Sequence, residues 1–392
     1  MLRIVIAAWH LKDFNVGLGR YCRGLVEGLG RIDRENSYEI LMPDDSYRFP
    51  SFPNVRYRLI RFPVFKRRFW EQTAPLLAGR HDILHIPYDS CVGWKRAKLV
   101  TTVHDLKPLL FGTASSGFNL NTQLERLIVR DKWAQIDHIV TDSKSSRDDL
   151  IRLQGVPVER ITVVYPGVDL ERFRPDVPVE GSGAERRSTF DVPSSEEGRV
   201  PDSTMNHEPR TTSRPYVLCV AGSDPTKNVD ALIEAFAALP AGLRDRCDLV
   251  VVGDLRRRPE LWERVTRAGL ESQVRFPGIV DDQQLILWYQ RAHVFVFPSR
   301  YEGFGLPVLE AMACGCPVVS SNASSLPEVA GEAALLVRPE DVEGLSHAIA
   351  RVLGDSTVRL ELRSRGLTQA GRFSWDRTAR EMLGVYEQVA AS

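Results

Sequence analysis

Glu302 and Glu310 are separated by seven intervening residues in the run VFVFPSRYEGFGLPVLEAMACGCPVV. An apolar strand over Val294 to Phe297 leads into a loop of Glu302, Gly303, Phe304, Gly305 and Leu306, and then into a helix that opens near Pro307 and holds Glu310. A helix amino terminus presents unpaired N–H groups and a positive partial charge, so it suits a phosphate; Gly303 and Gly305 let backbone approach such a ligand closely. Carboxylates do not bind phosphate. They accept hydrogen bonds from hydroxyls, so two acids beside a phosphate-binding turn suit a sugar linked to a nucleotide.

Further candidates fall at other strand ends, where open parallel sheets bind their ligands. Lys227, in AGSDPTKNVDALIEAF, follows the strand YVLCVAG at the start of a helix, close to Gly222 and Ser223, and suits a diphosphate; the bland alternative is a solvated helix-start lysine. His104 and Asp105 end the strand KLVTTV, where a lone histidine is usually structural. Gly17, Gly19 and Arg20, in NVGLGRY, read as a loop between the first strand and the first helix; GLG alone fits a tight turn equally well. In TDSKSSRDDL, Ser143 reads as a helix cap and Lys144 as either an acceptor contact or packing.

The paired glutamates, within PSRYEGFGLPVLEAMACGCPVV, resemble the signature of retaining glycosyltransferases of family 4. The likeness continues through VRFPGIVDDQQLILWYQRAHVFVFPS and SNASSLPEVAGEAALLVRPED, and through NVGLGRY, TTVHDLKPL, TDSKSSRDDL and VVYPGVDLERF in the first half. It covers nearly all of the chain except about 176–214. The resemblance implies the α/β GT-B fold: two Rossmann-like parallel-sheet domains facing each other across a cleft, with a last helix crossing back to the first domain. By that likeness Glu302 binds hydroxyls of the donor sugar and Glu310 the ribose. His104 holds a sugar hydroxyl while its backbone helps the leaving group, and Lys227 is the charge partner of the leaving diphosphate. The base stacks near Gly278 to Val280, and Asp105 and Lys144 face the acceptor. Ser223 and Thr226 stand where the family often has arginines.

The elements expected to position these residues alternate throughout: short apolar strands with helical patterns, which argues for parallel sheets covered on both faces. The strands read as LRIVIAAW, YEILMP, DILHIP, KLVTTVHD, HIVTDS and ITVVYPG, then YVLCVAG, CDLVVVGD, VRFPG, VFVFPS and PVVSS. The expected organisation is a first Rossmann-like, acceptor-binding domain over 1–175, a linker or insertion over 176–214, a nucleotide-sugar-binding domain over 215–371 and a helix over 372–392. The linker is rich in Pro, Ser, Gly, Glu and Arg and poor in aliphatic residues, a composition that cannot offset chain ordering and therefore reads as disordered. In the last helix Trp375, Ala379, Met382, Leu383 and Tyr386 recur at helical spacing.

The 392 residues carry no net charge, but residues 1–175 hold 27 Lys+Arg against 20 Asp+Glu, a net +7, and the rest balances it at −7. A basic first half suits an anionic partner such as a lipid diphosphate. The segment Tyr57 to Gln72 interleaves cations with Phe and Trp, and reads either as a docking strip for an anionic membrane or as an acceptor loop leading into a helix. No apolar run reaches the ~20 residues of a membrane span, and the start reads as a buried strand and not a signal, so the expected location is cytoplasmic, with peripheral attachment at the inner face of the membrane open to it. Four of the six cysteines stand singly, and Cys314 and Cys316 have the wrong spacing for a redox pair.

The expectation is therefore a retaining, metal-independent hexosyltransferase with no cofactor, moving mannose from GDP-mannose to a lipid-linked or polysaccharide acceptor, with no nucleic-acid partner. UDP-glucose, UDP-GlcNAc or dTDP-rhamnose are alternative donors. Rival readings are a glucan synthase or phosphorylase, an inactive partner subunit, and a NAD-dependent dehydrogenase, the last opposed by the lack of a GxGxxG followed by an acid ~20 residues on.

Overall fold

The computed structural model describes residues 1–13, 17–61, 67–92, 96–111, 133–176 and 214–392. Most of the linker and positions 62–66 of the basic aromatic segment lie outside these. The chain forms two compact units: Met1–Leu170 with Glu302–Leu306 and Arg372–Ser392, and Glu171–Tyr301 with Pro307–Gly371.

The first unit holds a parallel seven-stranded sheet of β1 (Arg3–Ala7), β2 (Ser37–Met42), β3 (Val55–Leu59), β4 (Ile83–Ile86), β5 (Lys98–Val103), β6 (His138–Thr141) and β7 (Ile161–Val163), in the order β3-β2-β1-β4-β5-β6-β7. Both faces are covered. Ile4 and Ile6 of β1 pack into one core with Tyr21, Leu25 and Met382, while Val5 and Ala7 pack into another with Trp9, Trp70 and Leu84. Alternate side chains of a strand point to opposite faces, so a central strand must be apolar at every position.

Two helices close one face. The helix Gly17–Ile32 buries Tyr21, Cys22, Leu25, Val26 and Leu29. Here the structure corrects the sequence reading: Gly17 and Gly19 are not a loop but the first turn of this helix. Each glycine costs about 1 kcal/mol against alanine in a helix, a penalty that the buried stripe outweighs. The terminal helix Trp375–Ala391 opens on Ser374, whose hydroxyl accepts from Arg377 N–H, and buries Trp375, Ala379, Met382, Val385, Tyr386 and Val389 against the first helix.

The segment Tyr57 to Gln72 divides between two elements, the second being the helix that one of its two readings expects at Trp70. Its start is the outermost strand, β3, in which Arg58 pairs with Glu39 at 3.2 Å; its end is the helix Arg67–Thr73, in which Arg67 pairs with the buried Glu71 at 2.6 Å. Trp70 is buried, its indole N–H donating to Ile60 O.

The second unit holds a parallel six-stranded sheet of β8 (Tyr216–Val220), β9 (Asp248–Val252), β10 (Val274–Gly278), β11 (Val294–Phe297), β12 (Val318–Ser321) and β13 (Ala334–Val337), ordered β10-β9-β8-β11-β12-β13. In each sheet the winding reverses, between β1 and β4 and between β8 and β11, and the crevice outside the carboxyl ends of such a pair is where this architecture holds ligands. All six cysteines are free thiols, and all but Cys91 are buried. Among the described residues no helix is long and apolar enough to cross a membrane, and no group of His, Cys, Asp and Glu is placed to hold a metal ion.

Candidate active site

In the first unit the site is built from the ends of β4, β5 and β6. Register pairs Val103 of β5 with Thr141 of β6, so the next residues, His104 and Asp142, are neighbours as both strands end. His104 Nδ1 lies 2.5 Å from Asp142 Oδ2, and Nε2 lies 3.0 Å from Pro87 O, just beyond β4. The Pro87 carbonyl can only accept, so Nε2 carries a hydrogen. Burial by itself would discharge the ring, but the Asp142 charge and the two hydrogen bonds outweigh it and raise the His104 pKa. Expected as a ligand for a sugar hydroxyl, the His104 ring thus has both nitrogens engaged by protein. Asp105 accepts from Lys107 N–H and so caps the short helix Lys107–Phe111.

The loop Glu302–Leu306 belongs to this unit and is tied to the same strand ends. Ser143 Oγ donates to Gly303 O at 2.7 Å and accepts from Ser146 N–H, capping the helix Lys144–Gln154 as its sequence context suggests. Ser146 Oγ donates to His104 O at 2.9 Å. A Cβ on Gly303 would stand 2.1 Å from that carbonyl oxygen, so only glycine fits, and Gly305 has φ +119°, a conformation side chains rarely adopt. Phe304 is buried, its ring 5.9 Å from that of Phe373 and 6.1 Å from that of Tyr165. These contacts hold Glu302, itself 9% exposed, in a fixed backbone. Lys144 is exposed on the first turn of its helix; Gly17 is exposed with open space around it, and Arg20 lies half-buried one turn on.

Several residues around this site carry no sequence signal on their own. Asp142 is one. A buried hydrogen-bond chain is another: Tyr386 OH to His85 Nδ1 (2.7 Å), His85 Nε2 to Thr102 Oγ1 (2.9 Å), and Thr102 Oγ1 to Tyr21 OH (3.3 Å). The Tyr21 ring then stands edge-on to His104 at 4.6 Å. His10, after β1, is brought down to about 4 by burial and by the nearby Arg67, His104 and Lys12, so it is neutral, and its Nε2 is buried without a partner.

In the second unit the residues after β8 form a short 3-10 turn, Pro225–Lys227, and not the helix start expected for Lys227. Asp224 caps the turn by accepting from Thr226 N–H, and Asn228, at φ +58°, reverses the chain into the helix Val229–Ala237. Asn228 Nδ2 donates to Pro298 O at 3.0 Å and to Pro339 O at 2.8 Å, tying this turn to the end of β11. Lys227 Nζ consequently sits 5.2 Å over the Phe297 ring, a cation–π contact that fixes the ammonium at the winding reversal of this sheet. Ser223 Oγ donates to Asp254 O at 2.6 Å. Glu310 is buried on the helix Leu306–Ala313, where Tyr289 OH donates to its Oε2 at 3.2 Å. Gly278 ends β10 and Val280 follows it, two strands from β8. Within this unit Lys227 and Ser223 lie on the one connection between β8 and the helix Val229–Ala237, Glu310 follows β11, and Gly278 and Val280 stand at the sheet's far edge.

Comparison with known proteins agrees with this architecture. Residues 17–172 match the model of Glycosyltransferase Family 4, and residues 202–369 that of Glycosyl transferases group 1. An O-antigen chain mannosyltransferase B of Escherichia coli is 35% identical over 403 residues, covering 98% of this chain and 100% of its own. A D-inositol 3-phosphate glycosyltransferase of Saccharomonospora viridis is 32% identical over 335 residues, covering 80% of this chain and 72% of its own. The solved sucrose-phosphate synthase from Thermosynechococcus elongatus shares the fold, with a TM-score of 0.74 at 23% identity and full coverage of both chains. With two Rossmann-like parallel sheets, two family models that together span most of its length and a near full-length relative, this chain belongs to the family 4, group 1 glycosyltransferases and is a glycosyltransferase of the GT-B fold.

Proposed function

We propose that the enzyme transfers mannose from GDP-mannose, with retention of configuration and without a metal, to a lipid-linked or polysaccharide acceptor of the O-antigen kind. The observation that carries this reading is the likeness to the O-antigen chain mannosyltransferase B, which runs the length of both chains. In the proposed roles Glu310 accepts from the ribose hydroxyls, Lys227 neutralises the leaving diphosphate with Ser223 beside it, and Gly278 to Val280 receive the base. Glu302 takes sugar hydroxyls, the loop from Gly303 to Leu306 and the helix amides after it meet donor phosphate, and Gly17, Gly19 and Arg20 offer a second helix amino terminus and a cation. Asp105 and Lys144 face the acceptor. No carboxylate is assigned as a nucleophile; the acceptor attacks on the face the nucleotide leaves, and the departing phosphate takes its proton. Electrostatic stabilisation of that phosphate by Lys227 is then the main catalytic contribution.

A screen of nucleotide sugars by thermal shift tests the donor, because a ligand stabilises the folded state in proportion to its occupancy. GDP-mannose is expected to give the largest shift, and proton NMR of the product to show an unchanged anomeric configuration. A larger shift with UDP-glucose, UDP-GlcNAc or dTDP-rhamnose, or an inverted product, would replace the assignment. D-inositol 3-phosphate belongs in the acceptor arm because a relative is named for it. Reversible attachment to an anionic membrane surface is part of the same proposal. It rests on the basic first half of the chain, and vesicle binding indifferent to salt would remove it.

A further inference from the structure

The amino-terminal edge of the first unit's sheet, opposite the strand ends that carry His104 and Asp142, holds a cluster that glycosyl transfer does not use. Arg3 opens β1, Asp82 immediately precedes β4, and Lys98 opens β5. These starts are clamped together: Arg3 N–H donates to Asp82 Oδ2 at 2.7 Å, Asp82 N–H to Arg3 O at 2.9 Å, and Lys98 N–H to Asp82 O at 3.1 Å. Asp82 thus has a structural duty. Lys98 is matched by Asp137 at 3.8 Å.

Arg3, Arg80, His81, Asp82 and Arg96 line one cavity of about 660 Å³. Arg3 and Arg80 line it beside a single carboxylate, and neither forms an ion pair among the described residues. His81 supplies an independent sign of a ligand. Its Nδ1 lies 2.8 Å from Gly79 O, which can only accept, so Nδ1 carries the hydrogen; Nε2 is buried and has no partner. That nitrogen accepts from a P–OH when the ring is neutral and donates to a phosphoryl oxygen when it is protonated. Guanidinium forks match phosphate oxygens in pairs. The volume falls within the ~300–1,000 Å³ of small-molecule sites and exceeds what an inorganic ion fills.

We propose that this edge is a binding site for a phosphomonoester carried on a body the size of a sugar, separate from the transfer site. Arg3, Arg80 and Arg96 hold the phosphate and His81 Nε2 its remaining oxygen. Nothing in the assignment depends on the identity of the donor sugar.

The test follows the His81 C2–H proton resonance of the full-length enzyme, assigned by its loss in His81→Gln. Glucose 1-phosphate, inorganic phosphate and sodium chloride are titrated at matched ionic strength. The expected result is a saturable shift with glucose 1-phosphate, weaker saturation with inorganic phosphate and none with chloride. Arg80→Glu, on an exposed loop, should weaken binding about ten-fold or more, as loss of a charge-assisted hydrogen bond does. Arg3→Gln should weaken it in the same direction, with circular dichroism unchanged in both variants. No saturable shift, a shift reproduced by chloride, or equal affinity in the wild type and Arg80→Glu would overturn the site. Inorganic phosphate binding as tightly as glucose 1-phosphate would overturn its assignment to a phosphorylated sugar.

Discussion

His104 Nδ1 and Asp142 Oδ2 meet at 2.5 Å where β5 and β6 end, in a buried pair that shares one proton. The pair makes the state of a buried histidine depend on one carboxylate. For the wild type the folded pKa of His104 is raised. Its contribution to stability is then fully present below the unfolded value of ~6.5 and is lost as pH rises through the folded value. Asp142→Asn removes the larger influences that raise it and leaves burial opposed only by the Pro87 bond and the Asp105 charge, so the folded value should drop below 6.5 and the sign reverse, the variant losing stability as pH falls through ~6.5. Thermal midpoints of both proteins between about pH 5 and 9 check this. Parallel curves would show that Asp142 does not control His104.

The two glutamates should separate in kinetics. Glu310→Ala is expected to weaken nucleoside-diphosphate binding by about 1–3 kcal/mol, the worth of a charge-assisted hydrogen bond. Tyr289→Phe, which removes only the phenol donating to Glu310 Oε2, should cost less. Glu302→Ala is expected to depress turnover far more than nucleotide affinity. If instead Glu302→Ala raised the Michaelis constant with turnover unchanged, it would have removed uniform binding, and its role at the sugar would be lost.

Chelation with EDTA should leave activity intact, since the proposed stabilisation of the leaving phosphate comes from Lys227 and helix amides. Activity abolished by EDTA and restored by manganese would overturn the metal-independent proposal.

Much of the fold is legible in the residues because buried central strands such as IVIA and LVVV must be apolar on both faces. The two strands not anticipated, β3 and β13, are the outer edges of their sheets. β3 reads VRYRL and is mostly exposed, so its two arginines, on the solvent face of an edge, hide the strand from a search for apolar runs. The Glu302 loop is legible because its glycines answer a steric demand made within a few residues. Asp142 is not: its importance to His104 comes from strand register across 38 positions, which local pattern does not carry. His85 and Tyr386 lie 301 positions apart and are closed the same way, by tertiary structure alone.

That last pair predicts what anchors the terminal helix. His85 and Tyr386 are fully buried and bonded at 2.7 Å, and His85 is held down to about 3 by burial and by the charge of His104, so it is neutral and needs both its partners. Tyr386→Phe leaves His85 Nδ1 buried without one, a loss of about 1–3 kcal/mol. Trp375→Ala, which empties the space that its ring fills against Gly24 and near Tyr21, should cost more, about 3–5 kcal/mol. Urea unfolding of both variants gives the comparison, and the change in midpoint should appear in the transition of the unit that contains residues 1–170. Were Tyr386→Phe neutral, the chain from Tyr386 through His85 and Thr102 to Tyr21 would carry no stabilising weight, and the helix would be held by apolar packing alone.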